Sequence, residues 1–213
     1  MRKAASICCI ALGTTLLLAA LFLVLHNTAE DRKSGETAER LLNALRQEIP
    51  EYTAPSETAL TGESGDLFPE FETETEAAAP ETITLDGNVY LGYLSIPELG
   101  LELPVLRDWS YPNLKLAPCR YQGSAAEDDL ILCAHNYDSH FGRLRELHTD
   151  SEIIFTDVTG APHRYSVLNT EELPGTAVEQ MQFGDAAEWD LTLFTCTRSG
   201  QSRVTVRAAR TEE

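Results

Sequence analysis

The 213-residue sequence is short of positive charge: 16 lysines and arginines stand against 34 aspartates and glutamates, a formal charge of −18. No Lys/Arg stripe interrupts that negative field. The counterion release that draws proteins onto phosphate backbones therefore has no source, and a nucleic-acid-coating role is excluded. Cysteine is also sparse, with five in the chain and none in a C-x-x-C spacing, and no two histidines form H-x-x-x-H. A zinc centre from Cys133, His135, His140 and Cys196 would need scattered ligands, the weak form of that signal, so no metal or other cofactor is expected. No internal repeat of about 20–50 residues is visible. Glycine and proline, 13 and 10, are at ordinary levels, which excludes collagen-like or wholly disordered chains.

What is present divides into three unlike segments. In residues 1–26, the run Ala4 to Leu25 carries no charge. At 1.5 Å per helical residue it covers about 30 Å, enough to span a bilayer once. A secretory signal would have a shorter apolar core and an A-x-A-like cleavage site, which His26, Asn27 and Thr28 do not supply, so an uncleaved anchor is expected. Cys8 and Cys9 follow a poor lipobox, Ala5-Ser6-Ile7, and read as apolar anchor residues. Arg2 and Lys3 precede the run and Arg32 and Lys33 follow it, nearly a tie. The terminal amine tips the balance toward a cytoplasmic N-terminus and an extracellular body.

Residues 27–84 read as a linker. Between Gln47 and Thr82 there is no Lys or Arg but ten acidic side chains, with Pro50, Pro55, Pro69 and Pro80 among Thr, Ser and Ala. Such a stretch buries too little apolar surface to offset its ordering entropy and repels itself into an extended tether. Just before it, Ala38, Leu41, Leu42, Leu45 and Ile49 have helical spacing, so a short amphipathic helix over 35–48 is expected. Phe68 and Phe71 are candidates to dock on the following domain.

Residues 85–213 change character. Short apolar or alternating runs at 90–96, 101–106, 130–134, 152–156, 163–169, 191–196 and 203–208 are strand signals. Without a long periodic helix between them they favour an all-β domain, an antiparallel barrel or sandwich, over a parallel α/β sheet. Phe141, Leu144 and Leu147 hint at one or two helical turns.

The chemistry concentrates in the last two runs. Alternation places Leu191, Leu193, Val204, Val206 and Ala208 on one face and Thr192, Phe194, Cys196, Arg203, Thr205 and Arg207 on the other. A tight hairpin centred on Ser199-Gly200 pairs Cys196 with Arg203, setting a guanidinium beside the sulfur or beside an oxygen bound near it. Arg207 would oppose Thr192, too far along for the same role. A nucleophilic thiol needs a base, and among five histidines His135 is best placed, because it follows the apolar run 130–134. A strand-end Cys is more commonly a small buried hydrophobe, a lone His structural, and an Arg a surface decoration. A Cys119–Cys133 disulfide after export is left open.

Four segments in order, LGYLSIPELGLELPV (91–105), AHNYDSHFGRLREL (134–147), TLFTCT (192–197) and SRVTVRA (202–208), resemble the sortase family. The resemblance implies a closed eight-stranded β-barrel with short helices behind an anchor and spacer. It also implies a cysteine transpeptidase on the outer face of a Gram-positive cell membrane. Residue by residue, it puts the catalytic roles on His135, Cys196 and Arg203, and leaves Ala134 and Thr195 as candidate substrate-binding neighbours. The implied partners are proteins bearing an LPXTG-like sorting signal and an amine acceptor such as a peptidoglycan precursor or pilin lysine. The Asp-Pro-aromatic lid of pilin-polymerising members is absent, Asp66-Leu-Phe-Pro-Glu-Phe71 being a poor substitute, and no second hydrophobic span follows. The interval 169–191 is too short for the long helix of class B but admits a short one, so a class D-like or unclassified single-span member is expected. The stretch Leu173-Pro-Gly-Thr-Ala177 mimics a sorting signal but is expected to be a loop. A membrane-tethered adhesion module and a cysteine hydrolase are the alternatives.

Overall fold

The computed structural model describes residues 2–52, 81–182 and 188–211. Phe68 and Phe71, and the acidic stretch around them, lie outside the described residues. The chain opens with one continuous helix, α1 (Arg2–Glu48), so the short helix expected over 35–48 is the C-terminal part of a longer one. Along the apolar run Leu16, Leu17, Leu18, Leu21 and Phe22 are all exposed. There the hydroxyls of Thr14 and Thr15 donate to the carbonyls of Ile10 and Ala11, so neither polar group lacks a partner. Beyond it Ala38, Leu41, Leu42 and Leu45 are buried against the body. That stripe explains why the helix continues into the segment read as linker: each buried Leu contributes about 1.5–3 kcal/mol relative to exposure.

Among the described residues nine strands follow: β1 (Ile83–Leu85), β2 (Asn88–Ile96), β3 (Leu101–Leu106), β4 (Cys119–Gln122), β5 (Leu130–Ala134), β6 (Glu152–Asp157), β7 (Pro162–Pro174), β8 (Leu191–Cys196) and β9 (Ser202–Arg210). Hydrogen bonding runs β2-β3-β4-β5-β8-β9-β7-β6 and closes through β6 back onto β2, an eight-stranded barrel to which β1 is added outside as a hairpin with β2. The closed eight-stranded barrel is as expected, but it is mixed rather than antiparallel, because β3–β4 and β5–β8 are parallel. Parallel neighbours need crossovers. The first carries the short helix α2 (Tyr111–Leu114), and the connection from β7 to β8 carries α3 (Val178–Gln182), the short helix the interval admitted. Closure is tight at Gly92, where φ is +145° and an added Cβ would lie 1.9 Å from the Thr156 carbonyl oxygen. The β6 backbone thus occupies the space a side chain would need.

The barrel is filled by Leu94, Ile96, Leu103, Leu132, Ile153, Val167, Leu193 and Val206. The inward set 191, 193, 204, 206 and 208 belongs to this core, as alternation requires. The opposite face of β5 and β8 is covered too: Ile131, Cys133 and Phe194 form a second cluster with Leu45 and Met181. Phe141, Leu144 and Leu147 are buried around a single 3₁₀ turn, Leu144–Glu146. The sorting-signal mimic is not wholly loop, since Leu173 and Pro174 end β7 and pair with Arg203 and Ser202.

Candidate functional site

The site is built where two strand ends and a hairpin meet at one rim. Cys196 is the last residue of β8, exposed, and a free thiol. The turn into β9 produces the expected register: Cys196 opposes Arg203 and Thr192 opposes Arg207. On the other side of β8, parallel β5 pairs Ala134 with Thr195. His135 and Cys196 are therefore the next residues along two adjacent parallel strands. The join is pinned by the Thr195 hydroxyl, which donates to the Ala134 carbonyl at 2.8 Å. Ala134 contributes that carbonyl while its methyl lies in the barrel core. Just beyond, Asn136 Nδ2 donates to the Thr197 carbonyl at 3.3 Å.

His135 is half-buried, with its ring 4.9 Å from that of Tyr137. Burial lowers its pKa below the ordinary imidazole value, and the Lys115 ammonium lowers it further, both favouring the neutral ring. The Arg203 guanidinium rests on the hairpin turn, its Nη1 donating to the carbonyls of Gly200 and Ser202 at 3.1 Å each. Arg203 also pairs across β7 with Leu173. A cavity of about 350 Å³ beside Cys196 is lined by Asn136, Arg143, Arg145, Thr195, Arg198 and Val204, among others. Arg143 is braced by Glu146 at 2.7 Å and donates to the Leu99 carbonyl at 2.9 Å. Residue-by-residue reading of the sequence passed over these arginines and Asn136; the signals were the place of Asn136, Arg143 and Arg145 in the segment after His135 and that of Arg198 two residues after Cys196.

The other candidates are placed elsewhere. Arg207 is 1% exposed and fastens α3 to the barrel through the Gln180 and Met181 carbonyls, Thr192 and Glu171. His140 is fully buried, its Nε2 3.1 Å from Ser34 Oγ of α1. Cys119 and Cys133 oppose one another across β4 and β5, both buried and both free thiols. Burial pushes Cys119 up to about 12 and drives Cys133 up as well. Among the described residues no three His, Cys, Asp or Glu side chains are grouped to hold a metal ion.

Comparison with known proteins bears on what this rim belongs to. Residues 94–211, more than half the chain, match the family model described as the Sortase domain. No curated protein matches the chain. Among solved structures it is similar to sortase C1 from Streptococcus agalactiae, at 22% identity and TM-score 0.52 over 61% of this chain and 72% of that one. It is also similar to Clostridium perfringens sortase C with the C-terminal cell wall sorting motif, at 20% identity and TM-score 0.50, covering 58% and 71%. Sortase A from Corynebacterium diphtheriae follows at 18% identity and TM-score 0.50, covering 59% and 62%. At such identities these structures speak for the barrel alone. The family match takes in the chain from the end of β2 to β9, and with it the rim that carries His135, Cys196 and Arg203, so the chain belongs to the sortase family.

Proposed function

We propose that this sortase is a membrane-anchored cysteine transpeptidase that cleaves an LPXTG-like sorting signal and transfers the acyl group to an amine. The observation that carries this reading is the cross-strand opposition of exposed Cys196 and Arg203, with His135 directly after the end of β5, the strand that pairs with β8. The Clostridium relative whose structure includes a cell wall sorting motif supports sorting-signal substrates.

Neutral His135 takes the thiol proton as Cys196 Sγ attacks the carbonyl carbon of the Thr–Gly bond. A tetrahedral oxyanion forms, and Arg203 stabilises it once its guanidinium leaves the turn carbonyls. Collapse breaks the C–N bond, the imidazolium returns its proton to the leaving amine, and the thioester remains. An incoming amine then attacks the thioester carbonyl, His135 accepts its proton, and the sulfur leaves to be reprotonated. The acceptor is an amine such as that of a peptidoglycan precursor or a pilin lysine. Residues 1–26 serve as the single-pass anchor, with the barrel extracellular. Thr195 and Ala134 serve the substrate through the strand register they hold.

Intact-mass spectrometry with a small panel of sorting pentapeptides tests this. The wild-type chain should form an acyl-enzyme and, with added amine, convert it to the amide. Cys196→Ala should form none. Full cleavage by that variant rules out this nucleophile, and free acid that persists at every amine concentration makes the protein a hydrolase instead.

A further inference from the structure

Helix α1 is continuous from its apolar run into the barrel, and its contacts fix which end of the barrel lies nearer the bilayer. The Asp31 carboxylate accepts from the backbone N–H groups of Asp138 and Ser139 at 3.0 and 3.1 Å, and Ser139 Oγ donates to the Asp31 carbonyl at 3.1 Å. Ser34 Oγ donates to the Lys115 carbonyl at 2.7 Å and meets buried His140 at 3.1 Å. At Gly35 an added Cβ would be 2.9 Å from Ser139 Cβ, so helix and loop are in direct packing contact there. These contacts hold the loop that begins at His135, on the rim where β5 and β8 end. Farther along, Ala38 joins the rim-side core with Phe141 and Leu101, and Leu45 packs lower, with Tyr90 and Leu106. After the helix ends, the Pro50 carbonyl lies against Gly160, in the β6–β7 turn at the opposite rim. The helix therefore runs the length of the barrel, from the active rim to the far one.

From Leu25, the last residue of the apolar run, to Asp31 is about 9 Å of helix, and the polar headgroup layer adds only about 5–8 Å beyond the hydrocarbon edge. Beside this stretch a cavity of about 430 Å³ is lined by Glu30, Lys33, Lys115, Tyr137 and Tyr111, the last 75% exposed. Exposed tyrosine is the residue type enriched where a protein meets the membrane–water interface.

We infer that the barrel stands with its active rim turned toward the membrane, so that Cys196 works in the layer just outside the headgroups. This rests on the proposed spanning of residues 4–25 and on the proposed role of Cys196, and its tests separate the three. Orientation is read by energy transfer in vesicles that carry a short-range acceptor on the lipid headgroups. The full chain is labelled either at Cys196 or, in a Cys196→Ser background, at Glu127→Cys on the exposed loop of the opposite rim. Transfer from position 196 should be at least about twofold that from 127, since α1 lays about 26 Å of helix between Asp31 and Glu48. Equal or greater transfer from 127 overturns the orientation. A chain that washes off the vesicles in alkali overturns the spanning, and the orientation with it.

The working height of Cys196 is read with seven alanines inserted after His26, close to two full helical turns, which lift the barrel by about 10 Å without turning it. Turnover of a sorting peptide tethered to the vesicle should fall at least about tenfold, while cleavage of the free pentapeptide stays within about twofold. Unchanged turnover of the tethered peptide overturns the working height. Absence of free-peptide cleavage in the wild type as well removes the transpeptidase reading alone, and the orientation then stands or falls on the energy transfer.

Discussion

Cys196 and the Cys119–Cys133 pair are the same residue type within a few residues of one another in the sheet, yet they occupy opposite chemical situations. Cys133 faces Phe194 across β5 and β8, only two residues before Cys196 along the strand. At Cys133 the outer face of the barrel is roofed by Leu45 and Met181, and a thiolate there has no water and no cation beside it. At Cys196 the roof has ended, an arginine stands across the ladder, and a histidine follows the neighbouring strand. Cover, rather than residue type, separates an accessible thiol from packing material.

The comparison can be broken most directly by alkylation. With Cys119 pushed up to about 12 by burial, its thiolate fraction at pH 8 is about 10⁻⁴. An iodoacetamide time course should therefore modify Cys196 at least about a hundredfold faster than Cys119 or Cys133 in the folded chain, a ratio that peptide mapping reads. Comparable rates at all three would mean that the roof is not closed. Next in size is Arg203→Lys, which keeps the charge but loses the planar fork. It should lower kcat/KM by about 10–100-fold with acyl-enzyme still detectable, and wild-type kinetics would remove Arg203 from the chemistry.

A smaller effect concerns stability. Burial holds His140 down at about 4, below its ordinary 6.5. The unfolded chain then takes up this proton first, so the stability present above pH 6.5 is lost as pH falls toward 4, by up to about 3 kcal/mol. Denaturant midpoints followed from pH 7 to pH 4 should drop, and His140→Gln should flatten that slope; parallel slopes would mean that the ring is solvated. The smallest shift belongs to His135. Lys115→Gln removes a neighbouring positive charge, so the acid limb of kcat/KM should move up by a few tenths of a pH unit. A downward move would contradict the assigned cause.

What could be read in advance followed from local rules. All seven apolar runs became strands, and the Cys196–Arg203 pairing came from the turn between them, because a tight hairpin leaves a single register. β4 was missed: its CRYQ carries one strongly apolar position and takes its pairing from strands distant in sequence. The two parallel pairs were missed as well: the choice of His135 as partner of Cys196 rested on its strand-end position and on the family resemblance, whereas the β5–β8 register that aligns them arises between residues about sixty positions apart. The stripe from Ala38 to Leu45 announced a helix, but its docking surface is made of residues that meet only once the barrel closes. Arg207 looked like a weak spare for Arg203, and burial under α3 made it a structural pin instead.

The claim on which the rest depends is that the sulfur of residue 196 carries the acyl group. The full chain should be incubated with a sorting pentapeptide, quenched in acid during turnover, digested with pepsin and mapped by tandem mass spectrometry. The account predicts the acyl mass on the peptide containing Cys196 and on no other. Acylation at Cys119 or Cys133, or steady peptide cleavage with every cysteine unmodified, would contradict it.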